Sequence, residues 1–283
     1  MNKKNTKKEV AKLAGVSHMT VSRVLNDFPY VSKQAREKVL KACRELNYRP
    51  NIIASSLRSK KTYALGVVVP TFRHTFCARF LNQVEEECKK AGYHIIVIQG
   101  RKGLKAQLEW SDFEFLLARQ IDGLLIDLEL PHEILSKLKK EKIPVVFADI
   151  PPGDNGFSFV GTADFEGGRE LTHYLIKSGH RKMAFLSGPQ GRYTSDQRLE
   201  GYKSALRENK IPLSERLISY TNYQTEGGYQ AMLKFLSEKR NFTALIGAND
   251  YIAIGALSAC SQKGIKVPED VAVVGFTGDE IGA

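Results

Sequence analysis

The chain has 283 residues, 42% of them hydrophobic, which predicts two or three globular units. Its net charge of +11 lies within residues 1–61, which hold 15 of the 42 basic and 4 of the 31 acidic residues, so a polyanionic partner is indicated. No stretch approaches the roughly 20 apolar residues of a membrane span, and the basic start is not followed by the apolar run of a signal peptide. The four scattered cysteines indicate free thiols, so we expect a cytoplasmic protein.

Residues 6–26 predict two short helices that meet at a glycine turn. Thr6 can cap the first helix, and Glu9 three residues later closes a capping box. Gly15 supplies the turn, and Ser17 is a natural cap for the second helix. The apolar stripes that join the two helices are formed by Val10, Leu13, Ala14, Val21, Val24 and Leu25.

The outer face of the second helix carries side chains that can form hydrogen bonds or adapt to a partner. They are His18, Met19, Thr20, Ser22, Arg23 and Asn26. A recognition helix in the DNA major groove needs such residues for base edges and phosphates. From these residues alone, an ordinary helical hairpin with a solvated face remains an equal alternative.

A third helix is predicted after Ser32, which would cap it. Its inner stripe would consist of Val39, Leu40, Cys43 and Leu46. Residues 51–57 then predict a helix of one or two turns, which is too short to be stable alone in water. Such a segment suits folding on a partner.

The motifs AGVSHMTVSRVLN, LNYRPN and A-x-x-L, in this order, closely resemble the lactose-repressor (LacI/GalR) family of bacterial transcription regulators. The later motifs SGHRKMAFLSGP and VPEDVAVVGF extend the resemblance over nearly the whole chain. It implies a homodimer that binds a pseudo-palindromic, double-stranded DNA operator, most often as a repressor. It also implies control by a small-molecule effector held between two lobes.

The resemblance also assigns roles within the head. Ser17, Thr20, Ser22 and Asn26 would contact phosphates, whereas His18, Met19 and Arg23 would face base edges. In the family, paired hinge helices enter the minor groove, and a leucine at the position of Leu57 wedges the central base step open. The full predicted DNA-binding set is Thr6, Ser17, His18, Met19, Thr20, Ser22, Arg23, Asn26, Ser32, Asn51, Ala54 and Leu57.

After a polar linker, apolar strands alternate with amphipathic helices, which predicts parallel sheets with helices on both faces. The predicted strands cover residues 63–69, 93–98, 123–126, 144–147, 159–160, 183–186, 217–219, 244–246 and 271–274. The predicted helices cover residues 76–91, 105–119, 131–142, 164–177, 195–209, 226–237 and 251–262.

The expected fold class is therefore α/β, with a helix-turn-helix head and hinge helix before a core of two doubly wound parallel sheets. By resemblance, this core is bilobed like a periplasmic sugar-binding protein. The predicted domains are the head at 1–50, the hinge helix and linker at 51–62, the first lobe at 63–150 and the second at 151–283. Family members continue for several dozen residues more, so we expect a fragment or a natural truncation with an incomplete second lobe and return strands.

Ligands of open α/β sheets bind beyond the carboxyl ends of the strands. By resemblance to the family, the effector-binding residues expected in those loops are His74, Phe76, Arg101, Asp149, Arg192, Thr194, Arg198, Asn249 and Thr277. Carboxylate, guanidinium and amide groups suit sugar hydroxyls, whereas Arg192 and Thr194 match residues of purine-sensing members. The effector would be a sugar, a sugar phosphate or a purine-like molecule.

Several of these residues have alternative interpretations. Asn249 could be a helix cap, as could Asp164, and Arg198 could be a surface arginine. Thr277 stands where the family usually has aspartate, which removes a bidentate acceptor and argues against a plain monosaccharide.

The sequence argues against two other classes of protein. A transport-associated binding protein would have a signal peptide and no basic head. A sugar-modifying enzyme would need a catalytic constellation, but the sequence holds no G-x-S-x-G, P-loop or H-E-x-x-H motif. We therefore predict no catalytic residues, no metal and no cofactor, and structural roles for His173 and His180.

Overall fold

The computed structural model describes residues 5–25, 28–48, 61–72, 75–100, 108–153 and 156–278. The chain divides into two compact units. The first contains Met1–Val67, Thr71–Gln99 and Gln107–Leu124, and the second contains Val68–Pro70, Gly100–Ala106 and Leu125–Ala283.

The first unit begins with a small helical head. Its helices are α1 (Lys7–Ala14), α2 (His18–Leu25) and α3 (Lys33–Glu45). They enclose a core of Val10, Ala11, Ala14, Val21, Val24, Val39 and Ala42. Leu13 and Leu40 are 50% and 41% exposed, so their predicted places in the apolar stripes were wrong. Ala11 and Ala42 are buried instead, because the helices approach each other closely at these positions.

Strands and helices then alternate through the rest of the chain. In order they are β1 (Ala64–Val69), α4 (Thr75–Lys90), β2 (His94–Gln99), α5 (Trp110–Leu117), β3 (Gly123–Ile126), α6 (His132–Leu138), β4 (Val145–Ala148), β5 (Ser158–Val160), α7 (Asp164–Lys177), β6 (Met183–Ser187), α8 (Tyr193–Glu208), β7 (Ile218–Tyr220), α9 (Thr225–Ser237), β8 (Ala244–Gly247), α10 (Asp250–Gln262) and β9 (Ala272–Val274). Element α6 is shorter than the predicted helix at 131–142, because it ends before the lysines at 139, 140 and 142. These lysines are exposed and add no apolar face that a longer helix could bury. Within the described ranges, no helix has the length and apolar character needed to cross a membrane.

The first sheet has the strand order β2-β1-β3-β4-β5. Strand β5 runs parallel to β4, and Val146 pairs with Ser158 while Ala148 pairs with Val160. This strand therefore extends the first sheet. The sequence interpretation took the irregular stretch before this strand for a crossover between the lobes, whereas the structure pairs the strand with β4 of the first sheet.

The second sheet lies within the second unit and has the order β7-β6-β8-β9, with every adjacent pair parallel. Its core includes the fully buried side chains of Phe185, Leu186, Met232, Phe235 and Ile246. Helices α7 and α8 pack closely because Gly168 and Gly201 have no Cβ. A Cβ at either position would clash with the backbone of the facing helix. This contact holds the first half of α8 against α7.

Candidate DNA-binding surface and ligand site

The turn between α1 and α2 forms as predicted. Glu9 N donates to Thr6 Oγ1 at 3.4 Å, and Thr6 N donates to Glu9 Oε2 at 2.6 Å. Gly15 ends α1 with a φ of 64°, a left-handed conformation that costs glycine little. Thr20 N donates to Ser17 Oγ at 3.1 Å at the start of α2. Caps on both sides of the turn fix where α2 begins.

Helix α2 has one buried face and one exposed face. Val21 and Val24 are 0% and 4% exposed and pack into the head core. His18, Met19 and Arg23 are exposed, with 64% of Met19 accessible. An imidazole, a thioether and a guanidinium are therefore available to an external partner on a helix that is held rigidly from behind.

The hydroxyl groups of the head differ in their remaining capacity for hydrogen bonds. Ser17 Oγ and Thr20 Oγ1 lie 2.9 Å apart and form one hydrogen bond, in which either hydroxyl can be the donor. The hydroxyl that accepts keeps its own proton, which it can donate to another group. Ser32 Oγ accepts from the backbone of α3 at 3.3 Å and also keeps its proton. Thr6 Oγ1 donates to Glu9 Oε2 at 3.0 Å, so its proton is already used.

Ser22 is half-buried on α2, within the described part of the predicted DNA-binding set. Four members of that set, Asn26, Asn51, Ala54 and Leu57, lie outside the described residues, as do His74 and Arg101 of the effector set.

The remaining effector residues, apart from Phe76, lie in the second unit. They follow strand ends or line the start of α8. Together with Tyr223 they form the candidate ligand site, called the ligand site below: Asp149, Arg192, Thr194, Arg198, Tyr223, Asn249 and Thr277. Phe76 belongs to the first unit, where its ring stacks on Phe80 with the centroids 6.2 Å apart.

Arg198 is a buried residue of this site. Its Nε donates to Asp164 Oδ1 at 2.7 Å, its Nη1 donates to the carbonyl of Ala248, and its Cζ lies 4.1 Å from the ring centroid of Phe276. The surface alternative for Arg198 was therefore wrong. Asp164 is the first residue of α7 rather than its cap, and its carboxylate also accepts from Thr162 Oγ1 at 2.8 Å.

Asp149 and Arg192 form a second ion pair, with Oδ2 and Nη2 3.6 Å apart and each side chain 12% exposed. Burial raises the pKa of Asp149, and the positive charges of Arg192 and Arg198 only partly offset it. Arg192 Nε and Ser187 Oγ are buried, and neither has a hydrogen-bond partner among the residues that the structure describes. The site thus contains polar atoms that an added ligand could satisfy.

Tyr223 joins the site although the sequence interpretation did not select it. Its hydroxyl lies 2.7 Å from Ser195 Oγ and 3.2 Å from Thr194 Oγ1, and its carbonyl accepts from Asn249 Nδ2 at 3.2 Å. The only available signal was its position just after the predicted strand at 217–219. Asn249 Oδ1 also accepts from Ile252 N at 2.9 Å, so the helix-cap alternative for Asn249 is confirmed.

Thr277 has no carboxylate of its own but lies beside one. Its backbone N donates to Asp250 Oδ1 at 3.3 Å, and its Oγ1 accepts from Asp250 N at 3.5 Å. Asp250 is only 6% exposed. A carboxylate therefore lies one hydrogen bond away from position 277.

The histidines outside the site contact neighbouring elements. His173 Nε2 lies 2.8 Å from Glu208 Oε2 across the α7–α8 contact, and His180 Nδ1 lies 2.9 Å from Thr243 Oγ1. Across the described ranges, no three histidine, cysteine or acidic residues group as a metal site would require.

Comparison with known proteins identifies the chain. The profile for bacterial regulatory proteins of the lacI family matches residues 6–51, and the profile for periplasmic binding proteins and the sugar-binding domain of the LacI family matches residues 62–278. The chain belongs to the LacI family. It is a transcription regulator with a DNA-binding helix-turn-helix head and a periplasmic-binding-protein-like core.

Individual LacI-family relatives match over most of their length. The HTH-type transcriptional repressor PurR of Haemophilus influenzae is 34% identical over 273 residues, which cover 96% of this chain and 80% of that protein. The probable repressor ExuR of Bacillus subtilis is 33% identical over 283 residues and is covered to 82%. A crystal structure of the lac repressor dimer bound to operator and the anti-inducer ONPF superposes with a TM-score of 0.85 at 29% identity, covering 98% of this chain and 84% of that one.

Proposed function

We propose that this LacI-family regulator is a repressor that binds a two-fold symmetric operator as a dimer and responds to a small polar effector. The observation that carries the DNA-binding part is α2. Its buried Val21 and Val24 hold the helix in place, while His18, Met19 and Arg23 remain exposed. The net charge of the chain lies in the same segment, so phosphate attraction and base reading are combined there.

The head residues divide into base readers and phosphate contacts. Arg23 and His18 can donate to base-edge acceptors, and Met19 can pack against a thymine methyl group. The spare proton of the Ser17–Thr20 pair and the free proton of Ser32 suit phosphate oxygens. Thr6 contributes through the turn geometry, since its hydroxyl already donates to Glu9.

The dimer is proposed from the relatives and from symmetry. The lac repressor structure that this chain resembles is a dimer on its operator. One head reads only a few base pairs, and two heads on a symmetric site multiply that specificity. We propose that Asn51, Ala54 and Leu57 form the paired hinge in the minor groove, with Leu57 as the apolar wedge.

The effector is proposed to bind the ligand site of the second unit. Leaving Ser187 Oγ and Arg192 Nε buried without partners costs about 1–3 kcal/mol each, and a ligand with oxygen acceptors removes that cost. Arg198 adds a rigid guanidinium, because Asp164 and Ala248 fix its orientation.

The effector class is a sugar, a sugar phosphate or a purine-like molecule. A related structure at 32% identity and a TM-score of 0.67 is that of CelR in complex with cellobiose. A ligand that prefers one arrangement of the core shifts the population of DNA-binding conformations, and this preference is the whole basis of its control. The regulator acts by binding rather than by catalysis, in the cytoplasm where its operator lies.

Selection of binding sites from a random duplex pool tests this function. The 283-residue chain should enrich a two-fold symmetric site. Arg23→Ala should remove or relax one symmetric pair of positions, while Arg207→Ala, which removes an exposed helical arginine in the second unit, should leave the enriched site unchanged. Enrichment of no symmetric sequence by the wild-type chain would refute the proposal.

The effector part is tested separately by thermal unfolding with a panel of sugars, sugar phosphates and purine bases. A ligand that raises the melting temperature of the wild-type chain should fail to do so with Arg192→Ala and succeed with Arg207→Ala. An equal rise in all three proteins would place the effector elsewhere.

A further inference from the structure

A cavity opens in the second unit, and none of the ligand-site residues lines it. It has a volume of about 550 Å³ and lies among the start of β6, the end of α8 and the segment that follows α8. A cavity of this size accommodates a small metabolite.

The cavity and the ligand site lie at opposite edges of the second sheet. Arg181 and Lys182 precede β6, and Asn241 precedes β8, so they lie at the amino ends of these strands. Asn249 and Tyr223 follow β8 and β7 at the carboxyl ends. Because β6 has five residues at about 3.3 Å each, roughly 16 Å of strand separates the two edges.

The rim of the cavity is cationic. Arg181, Lys182 and Lys210 line it, and no lining residue is a carboxylate. Arg181 Nη1 donates to the carbonyls of Ile176 at 2.7 Å and His180 at 3.0 Å, which fixes the guanidinium. None of the three cations pairs with a carboxylate in the part of the chain that the structure covers. This clustering occurs in a core whose net charge is zero, so it is local.

The floor of the cavity is apolar and fixed. Ile211 and Leu217 are half-buried and Pro212 is exposed, so these three residues supply the accessible apolar surface of the lining. Tyr202 is only 2% exposed, and its hydroxyl donates to the carbonyl of Met183 at 2.8 Å, which fixes it within the wall of the cavity. Burial, together with the nearby charge of Glu215, raises the pKa of Tyr202, so the phenol stays neutral. Leu206, also 2% exposed, lies in the same wall.

We propose that this cavity is a second ligand site, for a small organic phosphate. A phosphate carries nearly two negative charges at neutral pH and accepts several hydrogen bonds, which suits the three rim cations. The carbon skeleton of the ligand would lie on Ile211, Pro212 and Leu217. Inorganic phosphate alone would use the rim but not the floor, and a neutral aromatic ligand would use the floor but not the rim.

Phenyl phosphate is the probe that combines the two features. The chain contains four methionines, so ¹³C-methyl methionine spectra resolve the site directly. Titration of the full chain should shift the methyl signal of Met183, which lines the cavity, and leave that of Met19 on the head unchanged. Phenol and inorganic phosphate should each shift the Met183 signal only at concentrations about tenfold higher or more.

Charge reversal supplies the matched controls. Lys182→Glu with Lys210→Glu should weaken phenyl phosphate binding by about tenfold or more, because two attractive charges become repulsive. Lys263→Glu, an equally exposed lysine at the end of α10, should leave binding unchanged. All three positions are exposed, so the variants should keep the fold, and thermal unfolding checks this.

Three outcomes would overturn the proposal. They are a Met183 signal that does not move, an equal loss of binding in the Lys263→Glu variant, and a response to inorganic phosphate as strong as that to phenyl phosphate. None of these outcomes concerns operator binding, so the second site and the proposed repressor function stand or fall independently.

Discussion

Arg198 and Asp164 form a buried ion pair that joins α8 to the start of α7. Arg198 Nε donates to Asp164 Oδ1 at 2.7 Å, and the two side chains are 10% and 2% exposed. Removal of one partner from such a pair leaves an uncompensated charge in the interior, which is more costly than the loss of the pair itself.

Arg198→Met should therefore destabilise the second unit by about 3–5 kcal/mol at neutral pH. Asp164 keeps its hydrogen bond from Thr162 but loses its cation. Urea unfolding measures the change, and Arg207→Met, an exposed arginine of the same helix, should change stability by less than about 0.5 kcal/mol. In the double variant with Asp164→Asn, part of the loss should be recovered, because the stranded charge is gone.

Two results would contradict this role. The first is a loss of stability below about 1 kcal/mol for Arg198→Met. The second is a double variant whose loss of stability equals the sum of the losses of the two single variants. The first result would mean that water reaches the Asp164 carboxylate. The second would mean that the two side chains are not coupled.

Local signals in the sequence predicted the head well. The capping box of Thr6 and Glu9 and the glycine turn depend on neighbours within a few residues, and the structure confirms both. The predicted burial of Leu13 and Leu40 was wrong because helical periodicity identifies the apolar face of a helix but not how much of it is buried. Three short helices bury only the centre of each face.

Tertiary contacts set the limit of prediction at the ligand site. Asp149, Arg192 and Asn249 were selected from the sequence as site residues, which remains a prediction. The partners of Arg198 lie 34 and 50 residues away, and no local pattern encodes them. Tyr223 was missed because a tyrosine after a strand resembles any loop residue. Its role depends on Ser195 at the start of α8.

Asp149→Asn should not destabilise the protein at neutral pH. Burial raises the pKa of Asp149, so folding disfavours the charged carboxylate relative to the unfolded chain, and asparagine avoids that cost. A raised carboxyl pKa means that wild-type stability falls relative to the variant as pH rises from the ordinary aspartate pKa through the folded value. Asparagine also tolerates the left-handed backbone at this position, where φ is 63°.

Urea unfolding of wild type and Asp149→Asn at about pH 4.5 and about pH 7.5 measures this effect. The difference in stability should shift in favour of the variant at the higher pH. A variant that is less stable by more than about 1 kcal/mol at the higher pH would show instead that the ion pair with Arg192 dominates.

Asp122 should contribute stability that is lost in acid. Its carboxylate accepts from Thr62 N and Thr62 Oγ1, both at 2.9 Å, and from Tyr63 N at 3.0 Å. Burial would raise the pKa of Asp122, but the hydrogen bonds from Thr62, Tyr63 and Tyr93 outweigh burial and lower it. The contribution is therefore complete above the ordinary aspartate pKa of about 3.9 and disappears as pH falls through the lowered value.

Asp122→Asn should cost about 1–2 kcal/mol at neutral pH, because the amide nitrogen cannot accept the bonds that one carboxylate oxygen accepts now. The cost should shrink when unfolding is measured at about pH 3. Glu129→Gln, at an exposed carboxylate, controls for the general effect of removing a charge. A cost that does not vary with pH would show that packing rather than the charged carboxylate holds Thr62.

The exposed face of α2 should separate sequence preference from overall affinity. His18→Ala and Met19→Ala should each relax discrimination at particular base pairs, by about 1–3 kcal/mol per position for a good direct contact. Ser22→Ala should weaken binding to all sequences by a similar factor, because a phosphate contact carries no base information. Binding of each variant to a panel of singly mutated operators at one fixed salt concentration measures both effects. If Ser22→Ala altered the ranking of operators while Met19→Ala lowered all of them equally, the assignment of base readers and phosphate contacts on α2 would have to be reversed.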